Sequence, residues 1–73
     1  VHAHAVNWLA PRPDAGTIVR AQVRHRSTPV PATIVHTNDD TLAVALGERV
    51  HGIAPGQSIV LYDGEVVLGG GVI

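Results

Sequence analysis

Apolar and polar residues alternate with a period of two along much of this chain. In "TIVRAQVRHR", Thr17 to Arg26, the side chains of Val19, Ala21 and Val23 point one way and those of Arg20, Gln22 and Arg24 the other. That period marks a half-buried β-strand. "ATIVHT" predicts a second short strand, and "TLAVAL" a third with Leu42, Val44 and Leu46 on one face. "QSIVLY" and "EVVLG" flank Asp63-Gly64, a strong two-residue hairpin signal. Their apolar residues fall at both parities, which fits strands buried on both sides or one face docked elsewhere. "VHAHAVNWLA" holds one short strand around Val6 to Leu9, and "GVI" adds a last one. "GERVHGIAPG" reads as a loop with a short strand at Arg49 to His51. No segment has a helical period.

Turn signals separate these runs. "PRPDAG" ends the first strand with two prolines and a glycine, and "STPVP" turns the chain again. Asn38 to Asp40 form a tight turn, because Asn and Asp tolerate left-handed backbone and bond locally. The reading is all-β: a small closed barrel of six to seven short strands. Closure removes exposed edges. Residues 1–14 read as an arm with a short strand, and 15–73 as the barrel, within one domain. Gly69 to Gly71 let the last strand bulge and bend to close the sheet.

Composition narrows the function classes. A chain of 73 residues buries a marginal core, drawn here from Val, Ile, Leu and Ala, since Phe and Met are absent. No cysteine is present, which removes disulfides, thiol catalysis and cysteine-bound zinc from this chain and is compatible with a cytoplasmic origin. A deep pocket with convergent polar groups is hard to build at this size, so a complete enzyme is not expected. No signal peptide is visible, and no apolar run reaches the roughly 18 residues of a membrane span. Net charge is −1, but three of the five basic residues other than His lie between Arg20 and Arg26. Distribution says more here than net charge does.

Several residues invite a chemical reading. Arg20, Gln22, Arg24 and Arg26 share one strand face, a cationic stripe able to meet phosphates. On the residues alone, an ordinary solvated barrel face is the readier explanation, since such stripes are common on barrels. His25 sits at the strand's end, between a half-buried backbone-bonded role and an RNA contact. His2 and His4 form a His-x-His pair, but no carboxylate or cysteine nearby completes a metal site. His36 and His51 are isolated. Asp63 and Glu65 read as solvated turn residues and not as an acid-base pair. Trp8 and Tyr62, the only large rings, read as anchors of the core. Gln57 follows a Pro55-Gly56 turn and serves either as a loop brace or as a presented contact.

The segments "VNWL", "VRHRSTPVPATI" and "APGQSIVLYDGEVVLGGGVI", in this order and spacing, resemble the C-terminal domain of the tRNA-specific 2-thiouridylase (MnmA) family. The likeness runs from about Val6 to Ile73. It implies a β-barrel similar to the second domain of translation elongation factors. It also implies a parent enzyme that uses ATP to adenylate the wobble uridine of certain tRNAs and thiolates it at carbon 2. A cysteine persulfide, charged by a sulfur-donor protein, delivers the sulfur in that family. The resemblance places no catalytic residue, cofactor-binding residue or metal ligand on this chain, which has neither a phosphate-binding loop nor a cysteine.

Family tRNA contacts carry over onto Arg24 and His25, an arginine-aromatic pair in which the usual tyrosine is histidine here, and onto Gln57. Imidazole also stacks on bases. Arg26 joins them by proximity alone, and Arg20 stays an ordinary surface arginine. The implied partners are tRNA and the remaining domains of the parent, with no membrane. Two other readings stay open: an elongation-factor-like RNA- or protein-binding barrel of a translation protein, and a barrel that only braces its neighbours.

Overall fold

The computed structural model describes residues 1–23 and 28–73. Six strands form among them: β1 (His2–Trp8), β2 (Ile18–Gln22), β3 (Val30–Thr37), β4 (Leu42–Leu46), β5 (Ser58–Asp63) and β6 (Val66–Val72). Every neighbouring pair is antiparallel. The sheet closes in the order β1-β4-β3-β2-β5-β6, with β1 pairing β4 on one side and β6 on the other. The fold is therefore an all-β closed barrel of six strands, without a helix among the described residues.

The alternating residues fill the interior. Val19, Ala21 and Val23 from β2 and the bend after it point inward, as do Ala32 and Ile34 from β3. Ile59 and Leu61 of β5 are fully enclosed at 0% exposure. Leu42 and Val44 join them from β4, while Leu46 is only half-buried. Ala43, on the outward parity, is covered as well; it is paired with His2 on one side and His36 on the other. Small outward residues between larger neighbours lose exposure without entering a core.

The N-terminal segment is built into the barrel. β1 starts at His2, four residues before the strand expected from the sequence, and supplies the closing seam. An irregularity between His4 and Asn7 hides its alternation, with Ala5 at φ +51. Ala3 and Val6 both face inward across that break, and the Val6 N–H donates to the Asp40 carbonyl at 3.0 Å.

Two further boundaries differ from expectation. The residues after the glycines do not make a separate strand; β6 runs unbroken through Gly69–Gly71. A Cβ at any of the three would meet neighbouring backbone oxygen: 2.6 Å from Asn7, 2.6 Å from Ile59 and 2.8 Å from His4 respectively. Close approach of flanking strands explains these residues. The β5–β6 hairpin turns on Gly64-Glu65, one residue later than Asp63-Gly64, with Asp63 paired to Val66. Gly64 at φ +58 followed by a residue of negative φ is the pattern of a type II′ turn.

No strand forms at Arg49–His51. Ile53 instead packs against the core, and residues 47–57 cross one end of the barrel as a loop. Asn38 shapes the β3–β4 turn: its Oδ1 accepts the N–H groups of Asp40 at 3.0 Å and Thr41 at 2.8 Å. Trp8 lies half-buried against the core and donates its indole N–H to the Asn38 carbonyl at 3.1 Å.

Candidate nucleic-acid interface

Alternation on β2 sends Arg20 and Gln22 outward while Val19 and Ala21 go to the core. The rest of the cationic stripe, Arg24 and Arg26, and with it His25, lies outside the described residues. What the structure gives is the approach to them. Gln22, the last residue of β2, pairs with Val60 of β5, three positions from Gln57. β2 therefore ends toward the end of the barrel where Gln57 stands.

Gln57 sits at the foot of β5, held by backbone on both sides. Its N–H donates to the Ala54 carbonyl at 3.3 Å, and its own carbonyl accepts from Ile73 N–H at 2.8 Å. The side-chain Oε1 accepts the Ala54 N–H at 2.9 Å. The amide thus braces the Pro55-Gly56 turn through its acceptor. The donor end, Nε2, is not used in that turn and can serve a ligand without undoing it.

Further along the same outer face, Arg20 is paired with Tyr62 on β5 and with Pro31 on β3. Its Nη1 lies 3.5 Å from the Pro29 carbonyl, at the limit of a hydrogen bond. Tyr62 is not a core anchor. Ile59 and Leu61 take the inward positions of β5, so the ring is left on the outside. Its hydroxyl donates to Gln22 Oε1 at 3.0 Å, one diagonal along the sheet. Both parities of this strand are apolar, so the sequence leaves open which face is inside, and the structure puts Ile59 and Leu61 there and Tyr62 opposite.

The histidines form a separate group. His2, His4 and His36 border a mostly apolar hollow of about 500 Å³ with Val35 and Ala43. Among the described residues no group of three His, Cys, Asp or Glu converges as metal ligands. Asp63 and Glu65 are exposed at the hairpin end, Asp63 beside and Glu65 within the turn. No helix of the described residues is long and apolar enough to cross a membrane.

Comparison with known proteins places the chain in a family. The model of the aminomethyltransferase β-barrel domain family matches residues 1–73. The chain is 49% identical over 70 residues to the tRNA-specific 2-thiouridylase MnmA of Picosynechococcus sp., covering 93% of this chain and 20% of that protein. It is 43% identical over 72 residues to the same-named protein of Salmonella typhimurium, covering 97% of this chain and 20% of the relative. Against that of Geotalea uraniireducens it is 41% identical over 71 residues, covering 97% and 19%. The chain spans about a fifth of the length of the curated relatives it matches. With the match running from its first residue to its last, the chain belongs to the β-barrel domain family found in tRNA-specific 2-thiouridylases.

Proposed function

We propose that this barrel is the C-terminal, tRNA-contacting domain of an ATP-dependent tRNA 2-thiouridylase acting in the cytoplasm. The observation that carries the reading is the likeness of nearly this whole chain, at 41–49% identity, to about a fifth of each 2-thiouridylase. In this reading the parent thiolates the wobble uridine at carbon 2. Activation by ATP and sulfur transfer belong to the rest of the enzyme and a sulfur-donor protein, since these 73 residues contain no cysteine. The barrel's share is to hold tRNA. Arg24 meets a phosphate, His25 stacks on or bonds a base, Arg26 adds charge nearby, and Gln57 Nε2 donates to the RNA. The end of β2 at Gln22, paired with Val60 three positions from Gln57, supports a joint contact.

The bracing role has its own support. Leu9 is 67%, Val35 58% and Val66 59% exposed, apolar side chains that a neighbouring domain would cover. A barrel that docks on its neighbours and holds tRNA accommodates both.

The test is direct. The full-length protein is incubated with ATP, a sulfur donor and an unmodified tRNA transcript, and the digested RNA is analysed by mass spectrometry. The reading expects 2-thiouridine at the wobble position, lost when ATP is omitted. Stoichiometric tRNA binding with no thiolated nucleoside, under conditions where a known 2-thiouridylase is active, would assign the barrel to another translation protein.

A further inference from the structure

We infer that the outer face formed by Arg20, Tyr62 and Pro31 is a second RNA contact, which takes one nucleotide with its base on the Tyr62 ring and its phosphate on Arg20. This rests on the proposed tRNA-contacting role and extends it to residues that the family likeness does not mark. Three observations converge. Tyr62 and Arg20 are a direct cross-strand pair, which sets their Cβ atoms about 5 Å apart on one face. The Tyr62 hydroxyl is tied to Gln22, so the ring lies along the sheet and is held there. Beside them, Ile18, Pro31 and Gly64 complete a shallow hollow of about 260 Å³.

The occupant follows from chemistry. An aromatic ring fixed on a stiff sheet offers a stacking surface to any base. A guanidinium next to it, with one 3.5 Å contact among the described residues, offers a planar fork to a phosphate. Asp63 lines the hairpin side of the same hollow. Its carboxylate repels phosphate there and leaves the Arg20 side as the place for the anion. A protein partner would be offered little apolar depth. Gln57 precedes Tyr62 by five residues on this strand, about 17 Å, so both contacts fall within reach of one RNA strand.

The experiment measures the affinity of the full-length protein for an unmodified tRNA transcript at several salt concentrations. Tyr62→Ala should weaken binding about 5- to 150-fold, the range for loss of one stacked base. Tyr62→Phe should retain most of it, because the ring remains. Arg20→Gln should weaken binding and reduce the log-log salt slope by about 0.7 to 1. Ile18→Glu is a variant whose folding is not in question, since Ile18 is 74% exposed; it brings a negative charge into the hollow and should also weaken binding. If Tyr62→Ala does not fold, Arg20→Gln and Ile18→Glu decide the matter.

Weakening by Arg24→Ala and Gln57→Glu with wild-type binding in Arg20→Gln and Ile18→Glu would overturn this site and leave the tRNA-contacting role standing. Wild-type binding in all of these variants would overturn both. Protection of Tyr62 from iodination in the RNA-free full-length protein would show that another domain covers the ring, which also overturns the site.

Discussion

The carbonyl oxygen of Ile59 stands 2.6 Å from the point that a Cβ on Gly70 would occupy. Gly70 is paired with Val60 on one side and Asn7 on the other, so β6 is gripped between two strands where it closes the barrel. The oxygen is backbone and cannot swing aside. Gly70→Val should therefore destabilise the domain by about 2–3 kcal/mol, a large part of a small domain's stability. That corresponds to a fall in melting temperature on the order of 10 °C or more, read by circular dichroism. An unchanged midpoint would mean that the strands separate there at little cost.

Ala5 and Gly64 should respond in opposite directions. Ala5 carries φ +51 and is exposed, whereas Gly64 at φ +58 has nothing within 4 Å of a would-be Cβ. Both carry positive φ, which costs an L-residue on the order of 1–2 kcal/mol. Ala5→Gly should raise stability by about 0.5–1 kcal/mol after the added freedom of the unfolded chain is set against it. Gly64→Ala should lower stability by about 1 kcal/mol. Paired thermal melts check this, and a destabilised Ala5→Gly would show that the methyl has a packing role.

Much of this fold was legible in the sequence. Val19, Ala21 and Val23 alternate with polar residues because one sheet face is core and the other solvent, and the core follows that pattern. β1 was the least legible strand. Its His-Ala repeat has little apolar contrast, and the irregularity at Ala5 shifts the inward parity from Ala3 to Val6. The hairpin register hinged on whether Gly64 is the first or second turn residue, which tertiary pairing of Asp63 with Val66 decides. Size suggests a core role for Tyr62, and because "SIVLY" is apolar at both parities only the pairing in the sheet shows that Ile59 and Leu61 take the inside and Tyr62 the outside. Arg24, His25 and Arg26 rest on the sequence, and Gln57 makes the loop-bracing bond that its place after Pro55-Gly56 offers as one of two readings.

Gln57→Glu separates that brace from a tRNA contact. Glutamate keeps an oxygen acceptor for the Ala54 N–H, 2.9 Å away in the wild type, but loses the NH2 donor and adds a negative charge. Melting should stay within about 1–2 °C of wild type, and the affinity of the full-length protein for tRNA should fall about 10-fold. Gln57→Ala removes both ends, so it should lose about 0.5–1.5 kcal/mol of stability in addition. Wild-type affinity in Gln57→Glu with a lowered melting point only in Gln57→Ala would leave Gln57 as a brace alone.

The central claim is that this barrel grips tRNA through segment 24–27 and its neighbours. It is tested most directly by the salt dependence of tRNA binding to the full-length protein carrying Arg24→Ala, with Arg49→Ala in the loop at 47–57 as the comparison. Loss of one phosphate contact should lower affinity and reduce the log-log slope by about 0.7 to 1. Arg49→Ala should leave both affinity and slope at wild-type values. Equal effects at the two arginines, or no effect at Arg24, would contradict the assignment.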